Sequence, residues 1–209
     1  MDLPIEKHPF EPFLPGNARV LFLGSFPPQK KRWSMVFYYP NYINDFWYMV
    51  GLLWFDDKYH FTLREEKRFD YERIVHFCEQ TGFAMYDTAT EVRRLKDNAS
   101  DKFLEVVTPT NLPALLKQIP LCNTIVTTGQ KATDIIVETY HCECPAIGEY
   151  VELQIPVQEG METVNKTFRF YRMPSTSRAY PLALTKKAAI YQKMFQSIGM
   201  LSAEKSVSE

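Results

Sequence analysis

Hydrophobic positions in this 209-residue chain alternate between short solid runs and longer amphipathic stretches. Arg19-Val20-Leu21-Phe22-Leu23 is an apolar run closed by Gly24, and Phe83-Ala84-Met85-Tyr86 and Thr124-Ile125-Val126-Thr127 repeat it. Short runs of this kind, ended by turn formers, predict strands buried on both faces. Between them the apolar residues recur at helical spacing over about 45 to 54, 65 to 80, 111 to 118 and 130 to 139. In the second of these, Ile74, Phe77 and Cys78 share a face. Alternating strand and helix predicts an α/β domain with a mostly parallel sheet covered on both sides.

From 145 to 173 the period changes to two. Val151-Glu152-Leu153-Gln154-Ile155 and Thr167-Phe168-Arg169-Phe170-Tyr171-Arg172 alternate in polarity and flank a polar turn at Glu159-Gly160. They predict an antiparallel pair whose second member joins the main sheet. A last helix over about 183 to 199 carries Ala188, Ala189, Tyr191, Met194, Phe195 and Ile198, and the tail 201–209 is polar and predicted to fray. No linker or repeat interrupts the pattern, so a single domain over 1–209, with its core at about 18–199, is expected.

A chain with 45% hydrophobic and 14% aromatic residues can fill one core of this size. No apolar run reaches the roughly 18 residues of a membrane span, and the first residues lack a basic-then-apolar leader; a cytoplasmic protein without a removed leader is the expectation. Cys78, Cys122, Cys142 and Cys144 are too few and too irregular for a disulfide scaffold. His141-Cys142-Glu143-Cys144 lacks the second spaced pair of a zinc or iron–sulfur site, so reduced thiols and no metal are expected.

The net charge of −1 and isoelectric point near 6.4 lack the basic excess of proteins that hold duplex DNA mainly through phosphate neutralisation. Any nucleic-acid role needs a local positive surface instead, for which Lys30, Lys31 and Arg32 with Arg178, Lys186 and Lys187 are the candidates.

Three segments carry candidate chemistry. Gly24-Ser25-Phe26-Pro27-Pro28 leaves the first strand where ligands bind in open α/β sheets, at strand carboxyl ends. Its glycine permits close approach, its prolines stiffen the turn, and the Ser25 and Phe26 amides can face a carbonyl or a developing anion; a plain rigid turn is the alternative. Pro174-Ser175-Thr176-Ser177-Arg178-Ala179-Tyr180 enters the last helix with the hydroxyls and amides of a phosphate site, or simply of a helix cap. The stretch Trp33 to Trp47 is rich in aromatics, and its loop rings suit stacking on a base or filling a core. Asn44-Asp45 within it is also a good cap pair.

Taken in order, Gly24-Ser25-Phe26-Pro27-Pro28, Phe37-Tyr38-Tyr39 through Asn44-Asp45-Phe46-Trp47, Gly82 to Asp87, Thr128-Gly129-Gln130-Lys131-Ala132 and Pro174-Ser175-Thr176-Ser177 resemble the segments of the uracil-DNA glycosylase superfamily. The hypoxanthine (deoxyinosine) glycosylase-like group, related to the mismatch-specific enzymes, is the branch it most resembles. The resemblance implies a three-layer α/β/α fold around a four-stranded parallel sheet. It implies a monofunctional, cofactor-free glycosylase that takes an extruded deaminated base, hypoxanthine or uracil, from damaged or mismatched duplex or from single-stranded DNA. A monomer is expected.

By the same resemblance Gly24, Ser25, Phe26 and Pro27 hold the base, Tyr39 stacks on it with Asn41 nearby, and Pro174, Ser175, Thr176 and Ser177 approach phosphate while Arg178 and Tyr180 occupy the wedge region. Ser25 stands where the mismatch-specific enzymes carry a water-orienting asparagine, and Asn44 aligns with the asparagine that takes this load in the hypoxanthine branch. Pro40-Asn41 replaces a common Gly-His, and Arg178 and Tyr180 replace common Pro and Asn. Asp45 and Asp87 are the carboxylate alternatives to Asn44, Asp87 closing the second strand. Two other readings stay open: a glycosylase-like protein that binds nucleic acid without cutting, and an α/β protein for small molecules or nucleotides, which would lack a Gly-x-Gly-x-x-Gly or phosphate-loop signature.

Overall fold

The computed structural model describes residues 3–95 and 103–202. Five strands build the main sheet. β2 (Val20–Gly24), β5 (Phe83–Asp87) and β8 (Thr124–Thr128) are buried along their whole length, as runs with no polar face must be. β9 (Tyr150–Glu159) and β10 (Glu162–Met173) form a long ribbon. The order is β5-β2-β8-β10-β9, the first four parallel and β9 antiparallel to β10. The expected four parallel strands are thus present, in a sheet that a fifth strand extends to a mixed one.

Among the described residues five α-helices cover it. α1 (Asp45–Phe55), α2 (Tyr71–Thr81) and α5 (Leu184–Ser197) meet on one face, where the rings of Phe22, Phe46 and Phe195 interlock and Trp54 packs edge-on to Phe77, Phe83 and Phe195. The connections from β5 to β8 and on to β10 run the opposite way along the sheet from the β2–β5 connection. For right-handed crossovers this carries α3 (Leu112–Leu116) and α4 (Gln130–Tyr140) to the other face.

The structure departs from the sequence reading in three places. The helix expected from 65 starts at Tyr71, because Asp70 caps it by accepting from the Arg73 amide. The residues before it form a tight hairpin of β3 (Thr62–Leu63) and β4 (Arg68–Phe69), turned at Lys67 with a positive φ. Secondly, an unexpected antiparallel sheet, β1-β6-β7, joins Ile5–Lys7 (β1) to Ala89–Arg94 (β6) and Leu104–Pro109 (β7). Thirdly, the core begins before residue 18: Phe10 is buried, and the Phe13 amide and carbonyl pair with Met85 on the outer side of β5. Most of the polar tail, 203–209, lies outside the described residues.

Candidate active site at the strand carboxyl ends

Because β2, β5, β8 and β10 are parallel, Gly24, Asp87, Thr128 and Met173 end at one edge of the sheet. β8 alone separates β2 from β10, so the loops after Gly24 and after Met173 emerge two strand spacings apart, about 10 Å. The two candidate loops, far apart in sequence, therefore stand on either side of Thr128-Gly129, which would floor any crevice between them.

The floor is glycine for a steric reason. A Cβ at Gly129 would stand 3.2 Å from Ser175 Cβ, and the residue's φ of 116° disfavours any side chain. Ser175 Oγ accepts from the Ser177 amide at 3.2 Å and Ser177 Oγ from the Ala179 amide at 3.3 Å, two successive turns that present Ser177 and Arg178 to solvent. Pro174 and Thr176 are buried, whereas Ser177, Arg178 and Ala179 are exposed and Ser175 and Tyr180 partly so.

Asp45 ties this loop to the start of α1. Its amide donates to Thr176 O at 2.9 Å; its carboxylate receives Lys187 Nζ at 2.8 Å and Arg178 Nε at 3.1 Å, and Lys187 Nζ also donates to Ser177 O at 2.8 Å. Lys187, read from sequence as part of a basic surface, is fully buried on the α5 face that meets α1, where Asp45 neutralises it. Lys30, Lys31 and Arg32 are exposed, on a single 3-10 turn just after the first loop.

Asn44 precedes Asp45 as the helix cap, its Oδ1 accepting from the Phe46 amide at 2.9 Å. A carboxamide oxygen has two lone pairs, so capping fixes the side chain and leaves one acceptor position. Asn41 Oδ1 similarly accepts from the Ile43 amide, and its carbonyl from the Asn44 amide. Tyr39 crosses the floor: its hydroxyl is 2.9 Å from Thr128 Oγ1, and one ring face lies flat on Phe46 at 4.0 Å. Burial pushes its phenol well above the usual range, so it remains a neutral hydrogen-bonding group.

The Gly24–Pro27 loop is buried and gripped from the side of the small sheet. The Thr88 amide and hydroxyl both donate to Gly24 O, at 2.8 and 3.1 Å, and Arg94 Nη2 donates to Pro27 O at 3.2 Å. A trans peptide points its N–H opposite its carbonyl, so with Gly24 O turned to Thr88, beyond β5, the Ser25 N–H is turned toward β8 and the crevice. Phe26 packs with Ala89, Val92 and Leu104 in a second small core.

Asp87 faces Gly24 across the β2–β5 register, and a Cβ on Gly24 would overlap its Oδ1. Its Oδ2 lies 2.9 Å from His8 Nε2. Burial raises the Asp87 pKa, partly offset by the hydrogen bond and charge of His8 and by the Gly24 backbone. Asn44, Asp45, Asp87 and both loops thus share one end of the sheet, with Asp45 and Asp87 each already bonded.

Sequence reasoning missed His8, and no signal pointed to it, since three-residue β1 carries no recognisable period. It also missed the tying role of Lys187. Two surface concavities, of about 290 and 240 Å3, lie elsewhere, the first at the opposite ends of the strands by Asn123, Thr167 and Arg169, the second beside the β9–β10 turn. Cys78, Cys122, Cys142 and Cys144 are free thiols, and among the described residues no three His, Cys, Asp or Glu side chains group as metal ligands. No helix among the described residues is long and apolar enough to cross a membrane.

No protein-family model matches the chain, and no curated protein matches it. The chain is similar to the solution NMR structure of a protein described as a "putative Uracil DNA glycosylase" from Methanosarcina acetivorans. The TM-score is 0.60 at 17% identity, over 93% of this chain and 99% of that one. At this identity the likeness is one of fold: an α/β architecture shared over nearly the full length of both chains.

Proposed function

We propose that the protein is a monofunctional DNA glycosylase that hydrolyses the N-glycosidic bond of a deaminated base, hypoxanthine or uracil, as in base-excision repair. The observation that carries this reading is the meeting of the Gly24–Pro27 loop, the Ser175–Arg178 loop and Asn44 at one sheet edge. The shared fold with a protein described as a "putative Uracil DNA glycosylase" supports it.

In the proposed reaction the C1′–N bond breaks and both its electrons leave on the base, while a water oxygen bonds C1′. The water proton goes to solvent, and the base anion is reprotonated on release. Positive charge on the sugar and negative charge on the base grow together, as in O-glycoside hydrolysis. The Ser25 amide receives the base charge; one such preorganised donor contributes on the order of 3 kcal/mol. Asn44 accepts from the water through its second lone pair, its rotamer set by the cap. Asp45 acts as a positioning residue, because Lys187 and Arg178 occupy its oxygens. Ser175, Ser177 and Arg178 meet the DNA backbone, and Lys30 to Arg32 add positive potential.

The test is a panel of single- and double-stranded oligonucleotides containing hypoxanthine, uracil, xanthine or a mismatch. Alkali-labile abasic sites without spontaneous strand breaks are expected on at least one deaminated base. Their absence at excess protein overturns the assignment. Salt-dependent DNA retention without abasic sites would support a binding protein instead, a reading favoured by Tyr39 lying across the crevice floor.

A further inference from the structure

The small β1-β6-β7 sheet places a histidine under the site. The side chain of His8, just after β1, is almost wholly buried, its ring 4.6 Å from that of Tyr86 and edge-on to Phe26 at 5.3 Å. Nε2 faces Asp87 Oδ2 at 2.9 Å. Nδ1 faces two groups of Phe10, the carbonyl oxygen at 2.8 Å and the amide nitrogen at 3.2 Å. A carbonyl only accepts and an amide only donates, so Phe10 can satisfy Nδ1 whether or not it carries a proton.

Two proton states therefore fit the same heavy atoms. In one, Nδ1–H donates to Phe10 O and a further proton lies between Nε2 and Asp87, leaving the pair neutral. In the other, Nδ1 accepts from Phe10 N–H and Nε2–H donates to an ionised Asp87, giving the pair a charge of −1. Asp87 in turn lies against Gly24, the first residue of the loop whose next amide faces the crevice.

We infer that His8 is a positioning residue of this site, gripping Asp87 against Gly24 and, by holding or releasing one proton, setting the net charge beneath the Gly24–Pro27 loop. Its effect on cleavage rests on the glycosylase reading; the shared proton does not. A base departing with an electron pair builds negative charge beside this loop, so a neutral pair favours departure and an anionic pair opposes it.

The other groups facing the pair do not supply this charge change. Burial raises the phenols of Tyr86, Tyr38 and Tyr39, which keeps them neutral. Arg94 is offset by its ion pair with Glu6 at 3.1 Å, and Glu11 is exposed to solvent.

The experiment compares wild type with His8→Gln, which keeps a neutral donor toward Asp87 but cannot take the second proton. Wild-type single-turnover cleavage of the preferred base should fall roughly tenfold as the pair loses its proton with rising pH, the scale of a unit charge acting through protein. In His8→Gln the proton can rest only on Asp87, so the step should move to a different pH; a variant profile that superimposes on the wild-type one overturns the inference. The second arm needs no cleavage: the His8 15N and Asp87 carboxyl 13C shifts of the wild type should move in one common step with pH. A carboxyl that stays fixed while the imidazole titrates overturns the shared proton. If the wild type cleaves none of the bases, the glycosylase reading fails and the NMR arm alone decides the role of His8.

Discussion

Replacing Lys187 by Met tests whether the tie between α1, α5 and the Ser175–Arg178 loop holds the site end together. Methionine fills similar space but leaves the Asp45 carboxylate, only 5% exposed, with Arg178 alone, whose side chain is 62% exposed and screened by water. Removing one partner of a buried pair costs about 3–5 kcal/mol. The loss has a ceiling, because protonating a carboxyl of ordinary acidity at pH 7 costs about 4 kcal/mol and relieves the unpaired charge. We expect a loss of about 3–4 kcal/mol in urea unfolding followed by tryptophan fluorescence, or about 10 °C in Tm for a chain of this length.

Arg178→Ala should cost under about 1 kcal/mol, since that partner is mostly exposed. Adding Asp45→Asn to Lys187→Met should recover part of the loss. A Lys187→Met protein within 1 kcal/mol of wild type, or an Arg178→Ala protein equally destabilised, would refute the argument.

Asn44→Ala removes both a helix cap and the proposed water acceptor: stability should drop by about 1 kcal/mol and single-turnover cleavage by at least about tenfold, with DNA affinity little changed. Unaltered cleavage would move the water to another residue. In native thiol labelling, exposed Cys144 should react first, while Cys78 and Cys122 react only on unfolding, because burial raises both thiols, Cys122 to about 12. Rapid native labelling of Cys78 would show that the α2–β5 packing opens readily.

The solid apolar runs made β2, β5 and β8 legible, since a strand buried on both faces has little choice of composition. The period-two stretches likewise gave the β9–β10 pair and its junction with the sheet. The β1-β6-β7 sheet was not legible: β1 has only three residues, and β6 and β7 alternate around few buried positions. At the site, the two loops were suggested by residue type and position after or before a regular element, whereas Asn44 was suggested as a cap by its type and as a site residue only by the family resemblance. The Asp45–Lys187 and His8–Asp87 pairs could not, because each joins residues far apart in sequence and nothing local marks a charge for burial. Lys187 looked like any surface lysine until the α1–α5 packing enclosed it.

The sheet also ends itself on the side away from β5. β9 is the outer strand there, and Pro156, near its middle, has no N–H to offer a further strand. Glu152, Gln154 and Gln158 are exposed along the same strand. Another copy laid against this border would meet a missing donor and a hydrated row of side chains, so the longest ribbon of the molecule is a poor template for aggregation despite its length.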